Sequence, residues 1–342
     1  MKRALITGIS GQDGAYLSQL LLNKGYEVYG TSRQKSESRL EKLNILGIED
    51  KVNLLPMSLH EFTNIHRVIE KSQPDEIYHL GAQSFVGLSF EEPLYTADVT
   101  ALGTLRILET IRTFNPKIKF YQASSSEMYG KAMSLPQKED TRFHPRSPYA
   151  ISKLFAHWSA VNFRESFNIF TCSGILFNHE SPLRGSEFVT RKITSSVARI
   201  KQGLQDRIWL GNMEARRDWG FAPEYVEAMW LMMQQPDPDD YIIATGKSHS
   251  IRDFVETAFN VVGINIEWDG EGINEEGRDS KSGKVLVSIN PDFFRPAEVN
   301  NTVGDYTKAR EKLGWTPKTS FEELVRIMVE HDLEHTDATP PC

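Results

Sequence analysis

The sequence predicts an α/β protein in which a doubly wound (Rossmann) parallel sheet is followed by a smaller, mixed C-terminal substrate domain. Short apolar strands alternate with amphipathic helices from residue 4 to residue 176, and such alternation demands parallel strands joined by helical crossovers. A glycine triplet separates the first strand from the first helix. Past Asn178 the alternation stops and arginine and lysine accumulate, a change of composition that goes with a change of task.

The chain's totals narrow the classes. At 342 residues it can build two lobes on substantial cores. Its 10% aromatic and 25% charged residues are those of an ordinary globular protein. A formal net charge of −7 argues against a nucleic-acid partner, which needs a basic surplus. It leaves room for a local cation cluster that binds a small anion. No apolar run reaches the ~18 residues of a membrane span, and the apolar stretch Ala4–Thr7 is too short for a secretory leader. Cys172 and Cys342 make no disulfide framework. A cytoplasmic protein with no membrane partner and no metal site is expected.

Taken in order, Ala4–Thr7 read as a buried strand and Leu17, Leu20, Leu21 and Leu22 as the apolar face of a helix ending near Gly25. Between them Gly8, Gly11 and Gly14 permit a tight turn whose backbone N–H groups approach a pyrophosphate. A second strand, Glu27–Thr31, runs into Ser32-Arg33. An acid at this point would hold a ribose 2′-hydroxyl, whereas Arg33, with Lys35 behind it, offers a cation to a 2′-phosphate. A solvated basic loop is the plainer alternative. Strands at Val52–Leu55 and Glu76–Leu80 follow, the first trailed by a helix over about 64–71, the second by Gly81-Ala82-Gln83-Ser84. His79, at a strand end, reads as a hydrogen-bonded structural histidine. A long helix over about 95–113 precedes the strand at Ile118, and Ile169–Leu176 are a further buried strand.

Beyond Asn178 the basic residues Arg184, Arg191, Lys192, Arg199 and Lys201 fit either an anion site or a solvated helix face. Tyr241–Ala244 read as a strand, Ser250 with Asp253 as a helix start, and the polar stretch Asp269–Lys284 as a mobile loop. Leu313-Gly314 ends one helix and Ser320-x-x-Glu323 caps the last. The expected division is 1–178 for the dinucleotide, with returning segments near 217–245 and 300–308. Residues 179–333 serve the substrate, and 334–342 form a disordered tail.

The chemistry concentrates between Ser124 and Lys153. A buried strand ending in Ser124-Ser125-Ser126 delivers hydroxyls to the carboxyl edge of the sheet, where open α/β sheets bind ligands. Glu127 adds a carboxylate beside them. Tyr149 and Lys153, four apart on a helix, share a face. An ammonium there is expected to lower the phenol's pKa toward that of a usable base.

Longer motifs carry a resemblance. Gly8-x-x-Gly11-x-x-Gly14 with the Tyr149/Lys153 pair resembles the extended short-chain dehydrogenase/reductases. Within them, Gln122–Gly130, Pro145–Tyr149, Ile175–Gly185, Val189–Lys192, Arg217–Gly220 and Phe294–Glu298 resemble the GDP-mannose 4,6-dehydratase family, over nearly the whole chain. The resemblance implies GDP-mannose as substrate, GDP-4-dehydro-6-deoxy-mannose as product, NADP as a retained cofactor, and a homodimer or homotetramer. It places Ser125, Glu127, Tyr149 and Lys153 at the catalytic positions, with Ser125 where many members have Thr. Cofactor contacts would come from Gly8, Ser10, Gly11, Gln12, Asp13, Gly14, Arg33, Leu59, Leu80, Gln83, Ser84, Tyr95, Tyr149, Lys153, His179 and Arg184. Substrate contacts would come from Ser84, Ser125, Glu127, Asn178, Lys192, Arg217, Arg295 and Glu298. The chain departs from the family at Ser58, where an Asp usually holds the adenine, and at Gly81, where Ala is usual. It also departs in the loop Gln34–Ser38, where members pack into tetramers. A nucleotide-sugar 4-epimerase or a 4-keto-6-deoxy-sugar reductase would share the Tyr/Lys pair but not require Glu127. A non-catalytic NADP-binding regulator would require none of the four catalytic groups.

Overall fold

The computed structural model describes residues 1–33, 40–294, 297 and 299–336. Its first half supplies β1 (Arg3–Thr7), α1 (Gln12–Asn23), β2 (Glu27–Ser32), α2 (Glu41–Ile45), β3 (Asn53–Pro56), α3 (Phe62–Ser72), β4 (Glu76–His79), α4 (Val86–Glu91), α5 (Pro93–Ala97), α6 (Gly103–Phe114), β5 (Lys119–Ser125), α7 (Pro148–Phe167) and β6 (Thr171–Leu176). The second half supplies β7 (Asn178–Glu180), α8 (Val189–Lys201), β8 (Ile208–Leu210), β9 (Arg216–Arg217), β10 (Trp219–Phe221), α9 (Ala222–Met233), β11 (Asp240–Ile243), β12 (His249–Ser250), α10 (Ile251–Val261), β13 (Ile266–Asp269), β14 (Glu276–Asp279), β15 (Val285–Ile289), α11 (Thr307–Leu313) and α12 (Phe321–Glu334).

The main sheet has seven strands in the order β11-β6-β5-β4-β1-β2-β3, every pair parallel. Period-2 alternation sends successive residues to opposite faces. Ala4 and Ile6 join Leu17 and Leu21 of α1 and Met229 and Met232 of α9 in one core. Leu5, between them, joins Ile65 of α3, Ile107 of α6 and Phe163 of α7 in another. Both faces are therefore covered, as a parallel sheet requires. Because β1 and β4 are neighbours while β2 and β3 lie beyond β1, the strand order reverses there. The crevice outside the carboxyl ends at that reversal is the usual ligand position of such sheets.

A separate core gathers Ile193 and Val197 of α8, Phe254 and Val255 of α10, Val287 of β15 and Leu324 and Met328 of α12. It backs a mixed sheet in the order β13-β14-β15-β8. This corrects the expectation of a mobile loop over Asp269–Lys284. Gly277 of β14 leaves room that a Cβ would take from Ile266, Trp268 and Val287, each 3.0 Å away, so the strand packs by lacking a side chain. Its charged neighbours face outward, Arg278 bonding Glu276 at 2.6 Å, and so hide the alternation from a hydropathy reading.

The long helix expected over 95–113 is α5 and α6 joined by a π turn at Asp98–Leu102. Ser250 and Asp253 form a complete capping box at α10, Ser320 caps α12, and Gly314, at φ 68°, ends α11 in the left-handed region. The helix α12 runs on to Glu334, and of the expected tail residues 337–342 lie outside the described residues. Among the described residues no helix is long and apolar enough to cross a membrane, and no cluster of side chains could hold a metal ion.

Candidate active site

The strand ends of the main sheet open into a cavity of ≈ 1440 Å³ that continues to α8, β8 and β9. At one end lies the glycine turn. Gly8 has φ +72°, and a Cβ on it would sit 2.9 Å from Gly81. A Cβ on Gly14 would sit 2.6 Å from the Gly8 carbonyl oxygen. The turn closes only with glycine at both places, and it brings the N-terminus of α1 to the cavity wall. Gly81 belongs to the same tight approach. A Cβ there would meet Thr7 Oγ1 at 3.1 Å and Leu59 at 3.2 Å, a tight fit.

Side chains lock this turn to the crossing segment β7. Gln12 Nε2 donates to the His179 carbonyl at 2.9 Å, and Gln12 Oε1 accepts from Ser181 at 2.7 Å. His179 gives Nδ1–H to the Phe177 carbonyl at 2.7 Å and pairs through Nε2 with Asp13 at 2.8 Å, while stacking on Tyr225. Burial favours a neutral imidazole, but the Asp13 charge and the two hydrogen bonds outweigh it and raise the His179 pKa. Asp13, penalised by burial, is nonetheless held below the usual carboxylate range by His179 and Arg184. Arg184 pairs with Glu180 at 3.0 Å and lies over the Phe188 ring.

At the middle of the cavity β5 ends. Its alternation sends Ser124 to His157 Nδ1, 3.1 Å away, and Ser125 to the cavity, hydrogen-bonded to the Tyr149 phenol. Ser125 Oγ also accepts from the Glu127 backbone N–H at 3.2 Å, capping a 3₁₀ turn that carries the Glu127 side chain to the same wall. Ser147 caps α7 by accepting from the Ala150 N–H, with Pro148 at the first helical position. Lys153 donates to the Ala123 carbonyl at 2.8 Å, pinning α7 to the end of β5.

The phenol does not follow the sequence expectation. Burial pushes the Tyr149 pKa up to about 12, against the Ser125 hydrogen bond and with help from the Glu127 charge. Lys153 sits 5.9 Å from the Tyr149 ring centre, and burial pushes its own pKa down to about 8. In this environment desolvation of the phenol decides the direction, against the pull of Ser125 and Arg184.

Of the residues singled out from sequence, Gly8, Gly11, Gln12, Asp13, Gly14, Leu80, Ser84, Ser125, Glu127, Tyr149, Lys153, Asn178, His179, Arg184, Lys192 and Arg217 line this one cavity. Ser10, Arg33, Leu59, Gln83 and Tyr95 do not. Arg33 bonds the Tyr95 hydroxyl at 2.7 Å beyond the β2 end. The Gln83 amide is spent on Phe85 and Thr96. Arg295, Glu298 and the loop Gln34–Ser38 lie outside the described residues. His79 is structural, held by Thr7 and Thr104, with burial and then Lys153 pushing its pKa down to about 3. Among the basic cluster, Lys192 and Arg199 line the cavity with Arg184. Arg191 pairs with Asp332 and Lys201 donates to the Val262 carbonyl. Lys42, Arg207 and Trp209 also line it and were not foreseen. Trp209, 47% exposed between buried Ile208 and Leu210, could have been found from the alternation of β8.

A parallel sheet of this order, a glycine turn at its first crossover and a Ser/Tyr/Lys group at the β5 edge define an extended short-chain dehydrogenase/reductase. The family profile described as GDP-mannose 4,6 dehydratase matches residues 5–328. The human GDP-mannose 4,6 dehydratase is 50% identical over 345 residues, covering 98% of this chain and 93% of that protein. GDP-mannose 4,6 dehydratase 1 of Arabidopsis thaliana is 51% identical, covering 97% and 90%. The chain belongs to the GDP-mannose 4,6-dehydratase family. Its fold also matches UDP-glucose 4-epimerase of Thermotoga maritima (TM-score 0.80, 24% identity, 96% of this chain and 98% of that one). It likewise matches RMD of Pseudomonas aeruginosa, solved with NADPH (TM-score 0.76, 21% identity, 98% and 100%).

Proposed function

We infer that this protein is a GDP-mannose 4,6-dehydratase, a hydro-lyase that converts GDP-α-D-mannose to GDP-4-dehydro-6-deoxy-α-D-mannose and water. The observation that carries this is the Glu127 carboxylate in the same cavity wall as Ser125, Tyr149 and Lys153. A 4-epimerase or a 4-keto reductase moves hydride at C4 with the Tyr/Lys pair alone. Elimination across C5–C6 needs a further base.

The glycine turn, filled by any Cβ, fits the diphosphate of a nicotinamide dinucleotide, with Gly8, Gly11 and Gly14 giving close approach and Lys153 within reach of the nicotinamide side. We assign NADP over NAD because Arg33, fixed by Tyr95, stands beyond β2 where a 2′-phosphate would lie. When bound, the nicotinamide supplies the hydride acceptor for C4 and the hydride donor for C6, so no net redox results. Tyr149, hydrogen-bonded to Ser125, would act as the phenolate, which the positive charges of Lys153 and of a bound oxidised nicotinamide favour over the neutral phenol of the unliganded site. It would receive the proton of the C4 hydroxyl while Ser125 holds the C4 oxygen. The ketone so formed acidifies C5–H; Glu127 would take that proton and pass it to the C6 hydroxyl, which leaves as water. The proton gained by Tyr149 from the C4 hydroxyl balances the one C5 regains when C6 is reduced. Positioned proton transfer of this kind is worth typically ~10²–10⁴-fold. Lys192, Arg199 and Arg217 face the far end of the cavity, where a nucleoside diphosphate needs cations.

Residues 1–178, with the returning segments 217–245 and 300–308, then serve the dinucleotide, and 179–333 the GDP-sugar. Ile151, Phe155 and Trp158 leave an apolar stripe exposed on α7, near Leu94 of α5, which supports a homodimer or a pair of such dimers. A reduced, buried Cys172 suits a cytoplasmic location. Incubating the purified protein with GDP-mannose, without added cofactor or reductant, should yield a 4-keto product. An absolute need for stoichiometric NADPH would instead mark a reductase.

A further inference from the structure

We propose that Lys42 is a phosphate-binding residue of the dinucleotide site, approaching it from a helix outside the glycine turn. The proposal rests on the cofactor reading above and adds to it a side chain that no sequence motif picks out. Helix α2 is anchored by Leu43, which is fully buried in the core shared with Ala15, Leu17 and Leu21 of α1. That anchorage leaves the neighbouring Lys42 half-buried in the wall of the cavity that Gly11, Gln12, Gly14 and Arg184 also line, within electrostatic range of Asp13 and Arg184.

Most charges at this end of the cavity are paired. Asp13 is paired with His179, and Arg184 with Glu180. The Glu187 carboxylate curls back over Gly185, close enough that a Cβ there would lie 2.3 Å from its oxygen. Among the described residues the Lys42 ammonium has no hydrogen bond or ion pair, and Glu187, likewise without one, is the acidic group that acts on it most. Burial pushes its pKa down. Glu187 and Asp13 act against that from a distance, and Arg184 adds to it. A half-desolvated ammonium with no partner costs free energy that an anion in the cavity would return. The N-terminus of α1 and the turn's N–H groups address an anion at the same place, and lysine serves phosphate as a point charge. Two anionic groups of NADP have this chemistry, the diphosphate and the ribose 2′-monophosphate.

Binding of NADP⁺ and of NAD⁺ to protein freed of endogenous cofactor, measured by titration calorimetry, tests the assignment. Lys42→Gln should weaken binding roughly 10- to 100-fold, as expected for a lost charge-assisted contact. Lys42→Arg should restore most of it. Equal losses for both dinucleotides place the ammonium at the diphosphate, and a loss confined to NADP⁺ places it at the 2′-phosphate. If Lys42→Gln leaves both affinities unchanged while an Arg33→Ala control loses NADP⁺, the Lys42 assignment falls and the cofactor reading stands. A wild type that binds neither dinucleotide overturns both.

Discussion

Along β5 and α7 the cavity wall carries few ionisable groups, each tied to a neighbour. Lys153 is bonded to the Ala123 carbonyl, Tyr149 to Ser125, and the Glu127 backbone to Ser125. The wall formed by α8, β8 and β9 instead gathers Lys192, Arg199, Arg207 and Arg217 around Phe293 and Trp209. On the proposed function the first wall moves protons, and its groups would contribute where charge develops in the transition state. On the same reading the second is a cation surface for a group that does not react. Substitutions on the first should therefore lower kcat, and those on the second should raise KM.

The largest effect expected is that of Glu127→Gln. Dehydration should fall by roughly 10²–10⁴-fold, the usual loss for a missing base. Oxidation at C4 should survive, readable as reduction of the bound cofactor on adding GDP-mannose. Full dehydratase activity in that variant would remove the distinction between the two walls. Arg217→Ala should raise KM for GDP-mannose by roughly 10- to 100-fold, the scale of a charge-assisted contact, with a much smaller change in kcat. An equal fall in kcat would mean that the cation wall takes part in the chemistry.

A smaller effect lies behind Arg217. Asp218 is buried and accepts from Thr245 N, Thr245 Oγ1, Gly246 N and Gly304 N. Burial pushes its pKa up to about 6, against those hydrogen bonds. An unfolded Asp titrates near ~3.9. The folded state thus holds the proton more tightly, and the linked stability is complete below the unfolded value and lost as pH rises through 6. Between pH 5 and pH 7 the wild type should lose roughly 1 kcal/mol of unfolding free energy relative to Asp218→Asn. Parallel denaturation curves at the two pH values measure it, and a constant gap would contradict the raised pKa.

What was legible in the sequence was whatever local pattern controls. The glycine triplet, the serine-tipped end of β5 and the capping residues Ser250 and Ser320 fix their own geometry within a few residues, and the structure shows a glycine turn, a strand ending at Ser125 and both caps. Contacts made by the folded chain were not legible. Lys42 and Arg207 reach the cavity only because distant cores orient their elements. The Tyr149 pKa was misjudged because spacing reveals the neighbouring ammonium but not the desolvation around both groups. The strand β14 was missed because a glycine does its packing and charged residues cover its outer face.

The central claim is that Glu127 clears the C5 proton of a hexose whose C4 hydride would be held by a bound nicotinamide and returned to C6. GDP-mannose carrying deuterium at C4, turned over by the purified protein without added reductant, tests it directly. The label should appear at C6 of the 4-keto product, as resolved by NMR. Product with no deuterium at C6, or deuterium accumulating in free NADPH, would contradict it.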